Sequence, residues 1–189
     1  MATGLIGVTW GAQASRDERY KLIAGLESES PEVRAKASAE VLARQQPGDI
    51  AEVMRIVEKY LKSDDRQGTV KDNMLLLGKL HALEAIPLLV QNLTFEAFYK
   101  NTKRPQPPAD LFPAVQALID IGRPSVRPVL ARLAAEDGEK LGIAGATVLR
   151  RILGLRDARA LLSDEIAAAK EERSQARLRI VLSLIEKVS

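Results

Sequence analysis

His81 is the only histidine in this 189-residue chain. One imidazole cannot build a two-histidine metal site, so any zinc here would have to draw its remaining ligands from carboxylates. There is no cysteine, which removes thiolate ligation, disulfides and thiol nucleophiles together. The adjacent acids Asp64-Asp65 and Asp164-Glu165 resemble acid–base pairs only on paper. Neighbours in sequence do not share a helix face, and such pairs read as solvated helix ends. The sequence contains no Gly-x-x-x-x-Gly-Lys-Ser/Thr phosphate loop, no Gly-x-Ser-x-Gly elbow and no His-Glu-x-x-His, each of which would bring a mechanism with it. The expectation is a protein that is not an enzyme, with no catalytic residue, metal or cofactor.

Binding chemistry has better support. The stretch "TFEAFYKNTKRPQPPADLF" holds Phe95, Phe98, Tyr99 and Phe112, then Lys100, Lys103 and Arg104, then Pro105, Pro107 and Pro108. Aromatic and basic side chains are enriched at interaction hot spots. Prolines hold a loop extended, so less conformational entropy is lost when a partner docks. Phe95 and Phe112 are expected to serve the core, leaving Phe98, Tyr99, Lys100, Lys103 and Arg104 as partner-binding candidates. Arg127 and Arg159, 32 residues apart, form a second candidate set. They either read acidic or phosphate groups on a partner or pair with acids of a neighbouring repeat and serve stacking.

The elements that would place these residues follow from periodicity. Ile86, Leu89, Val90 and Leu93 fall at i, i+3, i+4 and i+7, one face of a helix. Pro87 is tolerated only in a first turn, so that helix starts near Leu83 or Glu84. Before it, Val70, Met74, Leu77 and Leu80 keep the same spacing, with Gly78 close to the end and a tight turn at His81–Ala82. The hairpin recurs. Ile50, Val53, Met54 and Val57 precede it by 36 residues, and Val126, Val129, Leu130 and Leu133 follow it by 40. Ala158, Leu161 and Leu162 come 32 further on, with Glu165 in the fourth slot and Ile166 standing in. Ser30 before Pro31 reads as an N-cap, and Gly122 and Gly154 as helix ends. Helix pairs at this interval cannot bury their apolar stripes singly and must stack.

The quoted runs "LLLGKLHALEAIPLLVQNL" and "RRILGLRDARALLSDEI" resemble HEAT repeats, especially the short kind shared with phycobilisome-lyase HEAT-like proteins. The match lies in Leu77-Gly78 with Ala85-Ile86-Pro87-Leu88-Leu89, in Leu153-Gly154 with Asp157-Ala158-Arg159-Ala160-Leu161-Leu162, and more loosely in Ile121-Gly122 with Val126-Arg127-Pro128-Val129-Leu130. It covers roughly residues 30–168. The expected fold class is therefore all-α, an α-α superhelix (armadillo-like solenoid) of about four hairpins at 30–63, 67–95, 109–136 and 138–169. A leading helix and a trailing helix at 171–188 cap it, an insertion loop occupies 96–108, and residues 15–189 form one domain. The trailing helix is expected to bury Ala176, Ile180, Leu184 and Val188, with Arg173, Arg177 and Lys187 facing water. The resemblance implies that the second helix of each pair lines a concave surface.

The functional expectation is a non-catalytic scaffold that presents this concave face and the Pro-rich loop to a protein partner. One rival is nucleic-acid binding of the kind found in HEAT-like DNA glycosylases. It is disfavoured by a net charge of only +3 and by a lone Trp10 near the N-terminus, since such enzymes need a basic channel with aromatic side chains. The other rival is a lyase or chaperone for bilins, suggested by the repeat type alone. No apolar run approaches the roughly 18 residues of a transmembrane helix. Residues 1–14 carry a short apolar segment, Leu5–Trp10, then Ala12-Gln13-Ala14, similar to the tail of a signal peptide. Two readings stand. Met1 is internal to a longer signal-bearing protein, which is then exported or periplasmic, or these residues are a disordered leader on a cytoplasmic protein.

Overall fold

A computed structural model of the protein describes residues 7–46, 48–97 and 112–188, with side chains from residue 17 onward in the first helix. The described residues are all-helical. The α-helices are α1 (Gly7–Leu26), α2 (Pro31–Arg44), α3 (Asp49–Tyr60), α4 (Gln67–Lys79), α5 (Ile86–Gln91), α6 (Pro113–Ile121), α7 (Val126–Ala135), α8 (Glu139–Leu153), α9 (Leu155–Ala168) and α10 (Glu172–Leu184). Short 3-10 turns at Asp64–Arg66, Leu83–Ala85 and Arg123–Ser125 lead into α4, α5 and α7.

Local chemistry sets the boundaries. Ser30 caps α2, its Oγ accepting from the Val33 N–H at 3.3 Å and donating to Glu32 Oε2 at 2.7 Å. Pro87 and Pro113 sit in first turns, where the missing N–H has no intrahelical role. Gly122 and Gly154 end α6 and α8 with φ of 85° and 80° and extended ψ, backbone that only glycine enters freely. This repeated geometry resets the chain direction four residues before Val126 and Ala158.

Gly78 behaves differently. Helix α4 runs past it to Lys79, and its αL terminus falls on His81, with φ of 48°. The Ala82 N–H reaches the Leu77 carbonyl at 3.1 Å and the His81 N–H reaches the Gly78 carbonyl at 2.9 Å, the paired bonds of a Schellman ending. Gly78 itself is buried against α6.

Backbones approach in the pairs α1/α2, α3/α4, α5/α6, α7/α8, α8/α9 and α9/α10. They also approach along the series α2, α4, α6, α8 and α10, with α1 against α3, α5 against α7 and α7 against α10. One core cluster runs from Leu22 to Ile185. The stripes Ile86/Leu89/Val90/Leu93 and Val126/Val129/Leu130/Leu133 are buried throughout. In α3 the buried set is Val53, Ile56 and Val57, while Ile50 and Met54 are half-buried against it. Phe95 and Phe112 pack on the core from either side of the insertion.

Two expectations need correction. Helix α1 starts at Gly7, so the leader set aside from the fold supplies part of the first helix. Residues 7–26 contain no proline, and a nucleated helix propagates easily through such a run. Helix α10 is also rotated from its expected face. It buries Leu178, Val181 and Ile185, while Ala176 is exposed, Ile180 is 58% exposed, and Leu184 and Val188 are half-buried. Arg177 does not face water either. Its Nη1 donates to the Ala134 carbonyl at 3.0 Å, and its Nε and Nη2 clasp Asp137 at 2.7 and 2.8 Å. That clasp, with Ser174 Oγ donating to the same carbonyl at 3.0 Å, fixes the roll of α10 and selects the second of two apolar stripes.

Candidate interaction surface

The odd-numbered helices carry a row of charged residues joined by ion pairs. At the α1/α3 end, Glu27 accepts Lys59 at 3.0 Å and Arg55 at 3.6 Å. Glu52 holds Arg55 at 2.8 Å and Arg19 at 3.8 Å. The Lys59 ammonium lies 4.7 Å from the Tyr60 ring centroid, and the Arg66 guanidinium lies 5.2 Å from it. Tyr60 first, then Glu27, holds the Lys59 ammonium above its ordinary range, so it stays charged at neutral pH. Further along, Arg127 on α7 pairs with Glu165 on α9, and Arg159 on α9 pairs with Glu186 at 3.0 Å. The equivalence of the two arginines has a structural basis, because each lies five residues after a glycine of the same backbone geometry.

Both guanidiniums are engaged by carboxylates further along the chain, yet both are exposed, Arg127 at 71% and Arg159 at 55%. An exposed pair of this kind contributes about 0–1 kcal/mol. A carboxylate on a partner can therefore replace Glu165 or Glu186 at little net loss. Phe98, Tyr99, Lys100, Lys103 and Arg104 lie outside the described residues. The near edge of their segment is anchored by buried Ala97 and by Glu96, which pairs with Lys140 on α8.

The residues with reactive character do not converge. His81 is exposed and acts through its backbone, as the αL residue ending α4. Asp64 and Asp65 are exposed in a 3-10 turn, and Glu165 is taken by Arg127. Among the described residues, no three His, Asp or Glu side chains gather as metal ligands do, and no helix is long and apolar enough to cross a membrane. Left-handed backbone strains a side chain-bearing residue by roughly 1–2 kcal/mol. Hence His81→Gly is expected to raise stability by about 0.5–1 kcal/mol, read as a higher urea midpoint at unchanged m. A loss of stability would show that the imidazole itself makes a contact.

Sequence reading missed a set of arginines that reach into helix ends. Arg34 Nη1 donates to the Ser28 and Glu29 carbonyls, both at 2.8 Å. Arg66 Nη1 reaches the Glu27 carbonyl at 3.0 Å, and Arg150 Nη1 reaches that of Ile185 at 3.0 Å. Arg132 Nη1 bonds the Val90 carbonyl, and Arg177 bonds that of Ala134, as above. The last carbonyls of a helix lack intrahelical donors and carry partial negative charge, so a guanidinium from a neighbouring element answers both needs. Arg34 did leave a signal, since it falls on the buried stripe Arg34/Ala37/Val41 at i, i+3, i+7.

The Arg177–Asp137 clasp has a pH consequence. The Arg177 hydrogen bond holds the Asp137 carboxyl below its usual range. A carboxyl whose folded pKa is depressed stabilises above its unfolded value, near 4, and that contribution fades as pH falls through the folded value. Asp137→Asn should therefore lower Tm at pH 7, with the gap from wild type closing below about pH 4. A gap that stays constant to pH 3 would mean that charge at position 137 does not hold α10.

The chain has no significant match among protein-family models, curated proteins or solved structures.

Proposed function

We propose that the chain is a HEAT-like α-α superhelix acting as a non-catalytic scaffold for a protein partner. The odd-numbered helices supply the docking strip and the 96–108 insertion a second contact. The observation that carries this reading is the run of approaches α2, α4, α6, α8, α10 on a sequence that repeats every 32–40 residues. Helices that find their neighbours a step or two along the chain are the pattern of a repeat array, whose use is rigid display of an extended surface. Arg127 and Arg159 then act as exchangeable cations, trading Glu165 and Glu186 for acidic groups on the partner.

The test is affinity capture from the native host with three proteins: wild type, Arg127→Glu with Arg159→Glu, and a chain lacking residues 98–108. A partner retained by wild type and lost on charge reversal, then reconstituted from purified components, supports the reading. Retention by both altered proteins counts against it. Saturable binding of wild type to duplex DNA near 50 mM salt, weakening steeply as salt rises, would replace it with the nucleic-acid reading.

A further inference from the structure

The far end of the helix series carries a groove that neither the core nor the charged row uses. Helix α10 has two adjacent apolar stripes. One, Leu178/Val181/Ile185, enters the core. The other is Ala176/Ile180/Leu184, and its open members Ile180 and Leu184 form one wall of a groove of about 380 Å³. The start of α8 is the opposite wall, made of Gly138 and Gly142, with Leu133 as the floor. A Cβ on Gly142 would come within 3.0 Å of Leu184 Cδ1, so the slot is at its present width because position 142 has no side chain. Exposed Ile180 at this site is an apolar surface without a cover, flanked by polar residues, as at interaction sites.

Charge indicates what would cover it. Three exposed carboxylates, Glu136, Asp137 and Glu139, line the groove against one guanidinium, Arg177. Asp137 is held by Arg177 and Glu136 by Arg132, whereas Glu139 has no cationic partner among the described residues. The groove is thus acidic on a protein whose net charge is +3. Its walls are two helices, and the described residues offer no strand edge to an extended peptide, which leaves helix-in-groove docking as the fitting mode.

We propose that this groove binds an amphipathic helix of a partner protein, seating an aliphatic side chain beside Ile180 and a lysine or arginine against Glu139. This rests on the reading of the chain as a protein-binding array, but it uses a surface separate from Arg127 and Arg159. The probe is a fluorescein-labelled helical peptide of leucine and lysine, titrated by anisotropy with the full chain. A control peptide carries glutamate in place of lysine. Saturable binding of the lysine peptide is expected, weakened about tenfold by Ile180→Asp and several-fold by Glu139→Lys, and unaffected by Arg127→Gln. Glu139→Lys, an exposed change, keeps the test decisive if Ile180→Asp fails to fold. Binding that survives both groove variants, equal binding of the glutamate peptide, or Ile180-dependent self-association in sedimentation would each overturn the proposal. If the groove variants leave peptide binding intact while charge reversal at Arg127 and Arg159 still abolishes partner capture, the groove proposal falls and the scaffold reading stands.

Discussion

Arg34→Ala is expected to destabilise the protein by about 3 kcal/mol, roughly 6–12 °C in Tm at this chain length. Arg34 is 3% exposed, yet it is satisfied on every side. Its Nε donates to Asp72 Oδ2 on α4 at 2.7 Å, and its Nη1 donates to two carbonyls after α1. One side chain of α2 therefore ties together the end of α1 and the middle of α4. Removing it strands two carbonyl oxygens and a carboxylate, and it vacates the volume of a long side chain. Breaking a fully buried pair typically costs about 3–5 kcal/mol, but Asp72 is 29% exposed, so water can reach it and the lower end applies. Arg34→Lys should recover little, because one ammonium cannot span acceptors on two elements. Arg34→Met should recover part, by keeping the stem packed. Asp72→Ala in the Arg34→Ala background should add less than it does alone. Urea unfolding of the four variants checks this set. An Arg34→Ala midpoint within about 0.5 kcal/mol of wild type would refute the three-way tie.

What the sequence conveyed and what it hid divide along a physical line. Periodicity is a property of one element, so the burial of Ile86, Leu89, Val90 and Leu93 and of Val126, Val129, Leu130 and Leu133 was legible from their spacing. The glycine-ended helices at Gly122 and Gly154 were legible too, because their backbone requirement is local. Side-chain partners across elements were not. Arg34 and Arg177 look like any surface arginine until the helix ends they cap are brought beside them, since an orphan carbonyl has no signature in sequence. Helix α10 was misread for a related reason. Its run "RLRIVLSLI" is apolar around more than one face, and periodicity cannot rank two stripes that a contact at Arg177 decides between. The candidate surface was legible only as a register: Arg127 and Arg159 share a repeat position, while their carboxylate partners, 38 and 27 residues on, follow no visible interval.

Gly78 carries the second large effect. Gly78→Ala is expected to destabilise by about 2–3 kcal/mol, net of the roughly 1 kcal/mol that alanine gains over glycine inside a helix. A Cβ built there would lie 2.6 Å from Ala117 Cα and 3.1 Å from both the Ala117 Cβ and the Ala117 carbonyl oxygen. Carbon atoms rest about 3.5–4 Å apart, so α4 and α6 would have to separate by about an ångström. That movement would loosen Leu77 on one side and Leu118 on the other, both fully buried, at the contact joining the two halves of the chain. The identity of the nearest atom sharpens the prediction. Since it is backbone, Ala117→Gly cannot rescue Gly78→Ala, even though it removes a methyl group from the same contact. Gly145 provides the contrast. A Cβ there would meet the tip of Leu133 at 2.6–2.9 Å, and a leucine rotamer can yield where a backbone cannot, so Gly145→Ala should cost less. Gly78→Val should cost more than either. Thermal and urea unfolding of these variants would rank them Gly145→Ala, Gly78→Ala, Gly78→Val in order of increasing loss. If Ala117→Gly restored stability to Gly78→Ala, the contact would be between side chains, and the close passage of α4 over α6 would be wrong.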